Sequence, residues 1–82
     1  MIDERDVRGL RQARTEMSKR GLDIGRLDVQ LRKGVLTIRG IATAMPGSNI
    51  GDVQQELEHI ARILRQKPEI REVMLDCRVA GR

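Results

Sequence analysis

No phenylalanine, tyrosine or tryptophan occurs in the 82 residues. Any core must therefore be built from Val, Ile, Leu, Met and Ala. The aromatic platforms on which single-stranded nucleic acids stack, worth about 1–3 kcal/mol per base, are missing with them. Cysteine is nearly missing too. Cys77 stands alone, so no disulfide can staple the chain. With His59 as the only histidine, the chain falls short of the roughly three or four ligands of a zinc site. No apolar run approaches the roughly 18 residues that a membrane span requires. The first turns of the chain are charged throughout and lack the apolar stretch of a secretory signal.

Catalytic and phosphate-binding signatures are lacking as well. His59 has no serine or acid placed to form a Ser-His-Asp arrangement and reads as a surface histidine. Gly47-Ser48-Asn49-Ile50-Gly51 precedes a helix, but it has neither the spacing nor the lysine of a phosphate-binding loop. The chain is therefore expected to be no enzyme and to hold no cofactor and no metal.

What is present is a soluble, mixed-charge composition. Sixteen Lys and Arg face twelve Asp and Glu, a net charge of +4, with the two signs interspersed rather than blocked. That is the pattern of an ordinary solvated surface, and the positive excess leaves an acidic partner, nucleic acid or anionic lipid, as the less favoured alternative.

The apolar residues change period along the chain. Ile2, Val7, Leu10, Ala13 and Met17 share one arc of a helical wheel, Asp3, Glu4 and Asp6 sit in the first turn, and Gly21 follows Lys19 and Arg20 as a C-cap. A helix over 2–20 is expected. Leu27, Val29 and Leu31 then alternate with polar residues, Lys33-Gly34 makes a tight turn, and Leu36 and Ile38 continue the alternation to Gly40. Strands are expected over 27–32 and 35–40, paired as a hairpin. Residues 41–51 show neither period and are expected as a loop. Asp52 with Gln55 resembles a capping box, and Val53, Leu57, Ile60, Ala61 and Leu64 line one face of a helix over 52–66, which Pro68 stops. Val73, Leu75, Cys77 and Val79 alternate in a last strand over 72–79, where Cys77 is expected to point inward as a small buried hydrophobe. The expectation is a single α+β domain spanning 1–82. It is a two-layer α/β sandwich in the order α-β-β-α-β, with a three-stranded sheet and two helices on one face.

Gly34-Val35-Leu36-Thr37-Ile38-Arg39-Gly40 resembles the G-x-V-x-L-x-G signature of the BON domain family, the bacterial OsmY and nodulation module. Pro68-Glu69-Ile70-Arg71-Glu72-Val73 is similar to the segment that leads into the last strand of that family, and the likeness runs from about residue 5 to 79. The plan also resembles, at the level of topology, the ring-building modules of secretion and sporulation proteins. The resemblance implies non-enzymatic binding: protein–protein contacts, self-association, or attachment to a phospholipid surface. If Met1 is the natural start, a cytoplasmic location is expected. If the chain continues upstream, the bacterial envelope is.

Three surfaces are candidates for such contacts. Arg8 and Arg11 lie on the first helix and could seat it on an anionic membrane. Met45 and Pro46 stand at the tip of the long loop, a candidate docking point. Arg39 and Arg78 belong to the open face of the sheet with Asp28, Gln30, Arg32, Thr37, Met74 and Asp76, whose mixed signs suit self-association.

Overall fold

The computed structural model describes residues 4–79. It is an α+β fold of two helices and a four-stranded sheet. Helix α1 (Glu4–Lys19) opens with Glu4 and Asp6 at its positive end and closes with Lys19 at its negative end. Gly21, at φ +91°, takes the left-handed conformation that ends the helix, and its N–H reaches Ser18 O at 3.0 Å. The buried face is narrower than the apolar arc suggests. Gly9, Ala13 and Met17, four residues apart, face the sheet, whereas Val7 points to solvent and Leu10 is half-buried. Small size decides this: a Cβ on Gly9 would sit 2.5 Å from Leu31 Cδ2 and 3.0 Å from Glu69 Cβ, so the helix approaches the sheet through its glycine. Ile2, the first member of the arc, lies outside the described residues.

Strands β1 (Leu22–Asp23), β2 (Leu27–Arg32) and β3 (Val35–Ala44) follow. The turn between β2 and β3 has Lys33 at φ 51° and Gly34 at φ 83°, two successive positive values that match the twist of a hairpin. The carboxylate of Asp6 on α1 accepts hydrogen bonds from both turn amides, Lys33 N at 3.0 Å and Gly34 N at 3.4 Å, and so ties helix to hairpin.

Two expectations need correction here. The strand does not end at Gly40, so residues 41–44 are strand rather than loop, and the sheet has four strands rather than three. Gly40, at φ +109°, is a crossing point: a Cβ there would run into the carbonyl oxygen of Arg26. Residues 24–26 form a 3-10 turn, held by Gly25 N donating to Asp23 Oδ1 at 2.9 Å. The chain bulges there, because three residues separate Asp23 from Leu27 while two separate Gly40 from Thr43. Beyond the bulge, Leu22 and Asp23 pair with Ala44 and Thr43. A two-residue strand is too short to show a period, which is why β1 leaves no pattern in the sequence.

Helix α2 (Val53–Leu64) starts at Asp52, whose Oδ1 accepts from Gln55 N at 3.2 Å. It ends before residue 66, because Gln66 and Lys67 reach back only to Ile63 and Leu64. The helix carries the chain across to β4 (Glu72–Val79), which pairs parallel to β3 from Val35↔Glu72 to Ala42↔Val79. Leu57, Ile60, Ala61 and Leu64 of α2 meet Leu36, Ile38 and Ala42 of β3, Val29 and Leu31 of β2, and Val73 of β4. Helix α1 lies against β2 and α2 against β3 and β4, so both helices cover the same face. Among the described residues no polar side chain is buried in this aliphatic core.

Candidate functional site

The uncovered face of the sheet is organised by register. Asp28, Arg39 and Asp76 stand side by side across β2, β3 and β4, and Arg39 Nε lies 3.7 Å from Asp76 Oδ2. Both side chains are mostly exposed, so the pair alone adds little to stability. On one side of this row lie Gln30, Thr37 and Met74, and beyond them Arg32, Val35 and Glu72. On the other side Ile41 is paired with Arg78. Charge therefore alternates along the Asp28–Arg39–Asp76 row, with Met74 at 53% exposure and Ile41 at 37% as apolar islands beside it. The structure brings Arg39 and Arg78 together here. Ile41 joins them only because β3 runs on past Gly40.

The other candidates lie elsewhere. Arg8 and Arg11 are exposed on α1, behind the sheet, and Arg8 Nε is 3.9 Å from Glu69 Oε2. Met45 and Pro46 open a tight turn in which Ser48 N donates to Met45 O at 3.0 Å and Gly47 adopts φ +84°. Pro followed by a positive-φ glycine is the pattern of a type II turn. Met45 N also donates to Gly21 O at 2.7 Å, which anchors the turn to the end of α1 while leaving the Met45 side chain exposed.

An open groove separates the end of α1 from the start of α2, with Lys19, His59 and Arg62 on its walls. Arg20 pairs with two acids at this end of the molecule. Arg20 Nε is 2.7 Å from Glu16 Oε2, and Arg20 Nη1 is 3.3 Å from Glu56 Oε2. The hydrogen bond from Arg20 holds the Glu16 carboxyl below the usual carboxylate range. Among the described residues no group of three His, Cys, Asp or Glu side chains is placed to hold a metal ion, and no helix is long and apolar enough to cross a membrane.

One feature that sequence reasoning missed is the free edge of β4. The signal was available: a helix between two strands of one sheet implies a parallel crossover, and the arriving strand can then lie outermost. Glu72 N donates to Gly34 O at 3.2 Å, so Glu72, and by alternation Met74, Asp76 and Arg78, turn their backbone groups towards β3. Val73, Leu75, Cys77 and Val79 turn theirs outwards. Arg65 Nη2 donates to Val73 O at 3.2 Å and its Nε lies 3.6 Å from Glu72, which closes the start of this edge. Among the described residues no strand pairs beyond it. Cys77, expected inside, is only half-buried, because it sits on this edge opposite Gly40, which offers no side chain to cover it. Burial still pushes its thiol pKa up, with a further contribution from the charge of Asp76.

No protein-family model matches this chain, and no curated protein or solved structure is significantly similar to it.

Proposed function

We propose that the protein is a non-enzymatic assembly module, a BON-like variant that works through protein–protein contacts and associates with itself. The observation that supports this reading is β4, an eight-residue edge strand; among the described residues no strand pairs with its outward backbone groups from Leu75 onwards. Beside it lies an uncovered face carrying alternating charges and the exposed side chains of Met74 and Ile41. An unpaired strand edge is a ready template for another strand. Light scattering over a concentration series, at low and high salt, tests the reading. A mass rising above 9.3 kDa with concentration is expected, more weakly at high salt. A mass of 9.3 kDa throughout defeats it.

A second reading, attachment to an anionic phospholipid surface, draws on α1, where Val7 is exposed beside Arg8 and Arg11. It predicts salt-sensitive binding to anionic vesicles that is lost when Arg8→Glu and Arg11→Glu are combined. Equal binding by that variant would end it. Nucleic acid suits the surface less well, since Asp28 and Asp76 flank Arg39 where phosphate would have to approach.

A further inference from the structure

The geometry points to a specific mode of self-association: β4 pairs antiparallel with β4 of a second copy, about a two-fold axis at Cys77. The inference rests on the assembly reading above and adds its partner strand and register.

The free edge limits where a strand can add. Val73 O is held by the Arg65 guanidinium, so the open stretch begins at Leu75 and runs to Val79. Within it, Leu75, Cys77 and Val79 present both N–H and C=O outwards. An antiparallel neighbour satisfies such residues in pairs, each pair exchanging two hydrogen bonds.

Charge then selects the partner and the register. On the open face, β4 carries Asp76 and Arg78 on either side of Cys77. An antiparallel copy centred on Cys77 sets Asp76 opposite Arg78 of the second copy, and Arg78 opposite its Asp76. The row Asp28–Arg39–Asp76 is thereby extended by an arginine, keeping the alternation of sign across the junction. Centring on Asp76 would instead oppose Asp76 to itself. Centring on Leu75 would need Val73 O, which Arg65 already occupies. A parallel copy in register would align like charges along the whole strand. The strand is complementary to its own reverse, and an unrelated strand has no such match built in.

The helix side of the same edge agrees. Leu75 and Cys77 are only half-buried there, and Val79 is 41% exposed. In the proposed register Val79 of one copy lies beside Leu75 of the other, and the two Cys77 side chains are neighbours. Apolar surface left open by one chain is covered by the next.

Cys77, the only cysteine, reports this register directly. A hydrogen-bonded antiparallel pair holds its Cα atoms about 5.5 Å apart, within the span of a disulfide. The test is copper–phenanthroline oxidation of the full chain at mildly alkaline pH, read on a non-reducing gel, beside light scattering of the parent and of Arg78→Glu. Circular dichroism checks that the variant is folded. Expected are a covalent species of twice 9.3 kDa for the parent, little of it for Arg78→Glu, and association weakened about tenfold or more in that variant. A non-covalent dimer whose Cys77 thiols do not join, and which tolerates Arg78→Glu, overturns this pairing and leaves the assembly reading standing. A monomer at every concentration overturns both.

Discussion

Gly40→Val is expected to abolish cooperative folding. Gly40 holds φ +109°, a conformation costly to any residue with a Cβ and worst for a β-branched one. Backbone strain of that kind costs about 1–3 kcal/mol. Space adds more. The new Cβ would collide with the carbonyl oxygen of Arg26 and lie 3.3 Å from Leu27 Cα. Both obstacles are backbone atoms in the bulge where β2 begins, so neither can swing aside as a flexible side chain would. A chain of 82 residues has about 4–12 kcal/mol of total stability to lose. Thermal melts followed by circular dichroism should show no sharp transition for Gly40→Val and a strongly lowered one for Gly40→Ala. Gly47→Ala is the control. Gly47 has a similar φ of +84° but nothing within 4 Å of its added Cβ, so it should lose only about 1–2 kcal/mol, the cost of conformation alone. If Gly40→Ala melts like Gly47→Ala, the close approach of β3 to Arg26 is wrong.

Gly40 also shows where sequence reading runs out. In a chain read by period, a glycine after Leu36, Thr37, Ile38 and Arg39 looks like punctuation. Its role depends on Arg26, fourteen residues earlier in the chain and adjacent only once β2 and β3 have paired. The same limit applies to Gly9. Its value lies in what it leaves open for Leu31 and Glu69, which no helical wheel displays. The α+β class was legible for the opposite reason. Leu27, Val29 and Leu31 declare a strand face among themselves, and Leu57, Ile60, Ala61 and Leu64 declare a helix face, without help from distant residues.

The candidate site divides along the same line. That Asp28, Arg39 and Asp76 face away from the core follows from alternation within each strand. That they form one row follows from register, which depends on the hairpin turn at Lys33-Gly34 and on where α2 delivers β4. The free edge is more remote still. It depends on β4 lying outermost, a property of the whole sheet that no segment carries alone.

Two isoleucines three residues apart on β3 test this division of the sheet into a core face and an open face. Ile38 is 0% exposed in the central strand, with Val29 on one side and Leu75 on the other, and belongs to the core under the helices. Ile41 is 37% exposed and points to the opposite side. Ile38→Ala removes buried methyl groups from a place where the sheet backbone cannot collapse to fill the gap, at a cost of about 2–5 kcal/mol. Against a total of about 4–12 kcal/mol, that is a large share of what holds the fold. Each kcal/mol is worth about 4–8 °C in a domain of this size, so Ile38→Ala should melt at least about 8 °C below the parent. Ile41→Ala trims a side chain that already stands partly in water, and its loss should be much smaller, about 1 kcal/mol or less. The chemistry of the two substitutions is identical, so their difference measures burial alone. Equal losses would mean that something covers the outer face in solution. If light scattering then showed the parent as a monomer, that cover could not be a second copy, and the outer face of the sheet would have to be closed by the chain itself.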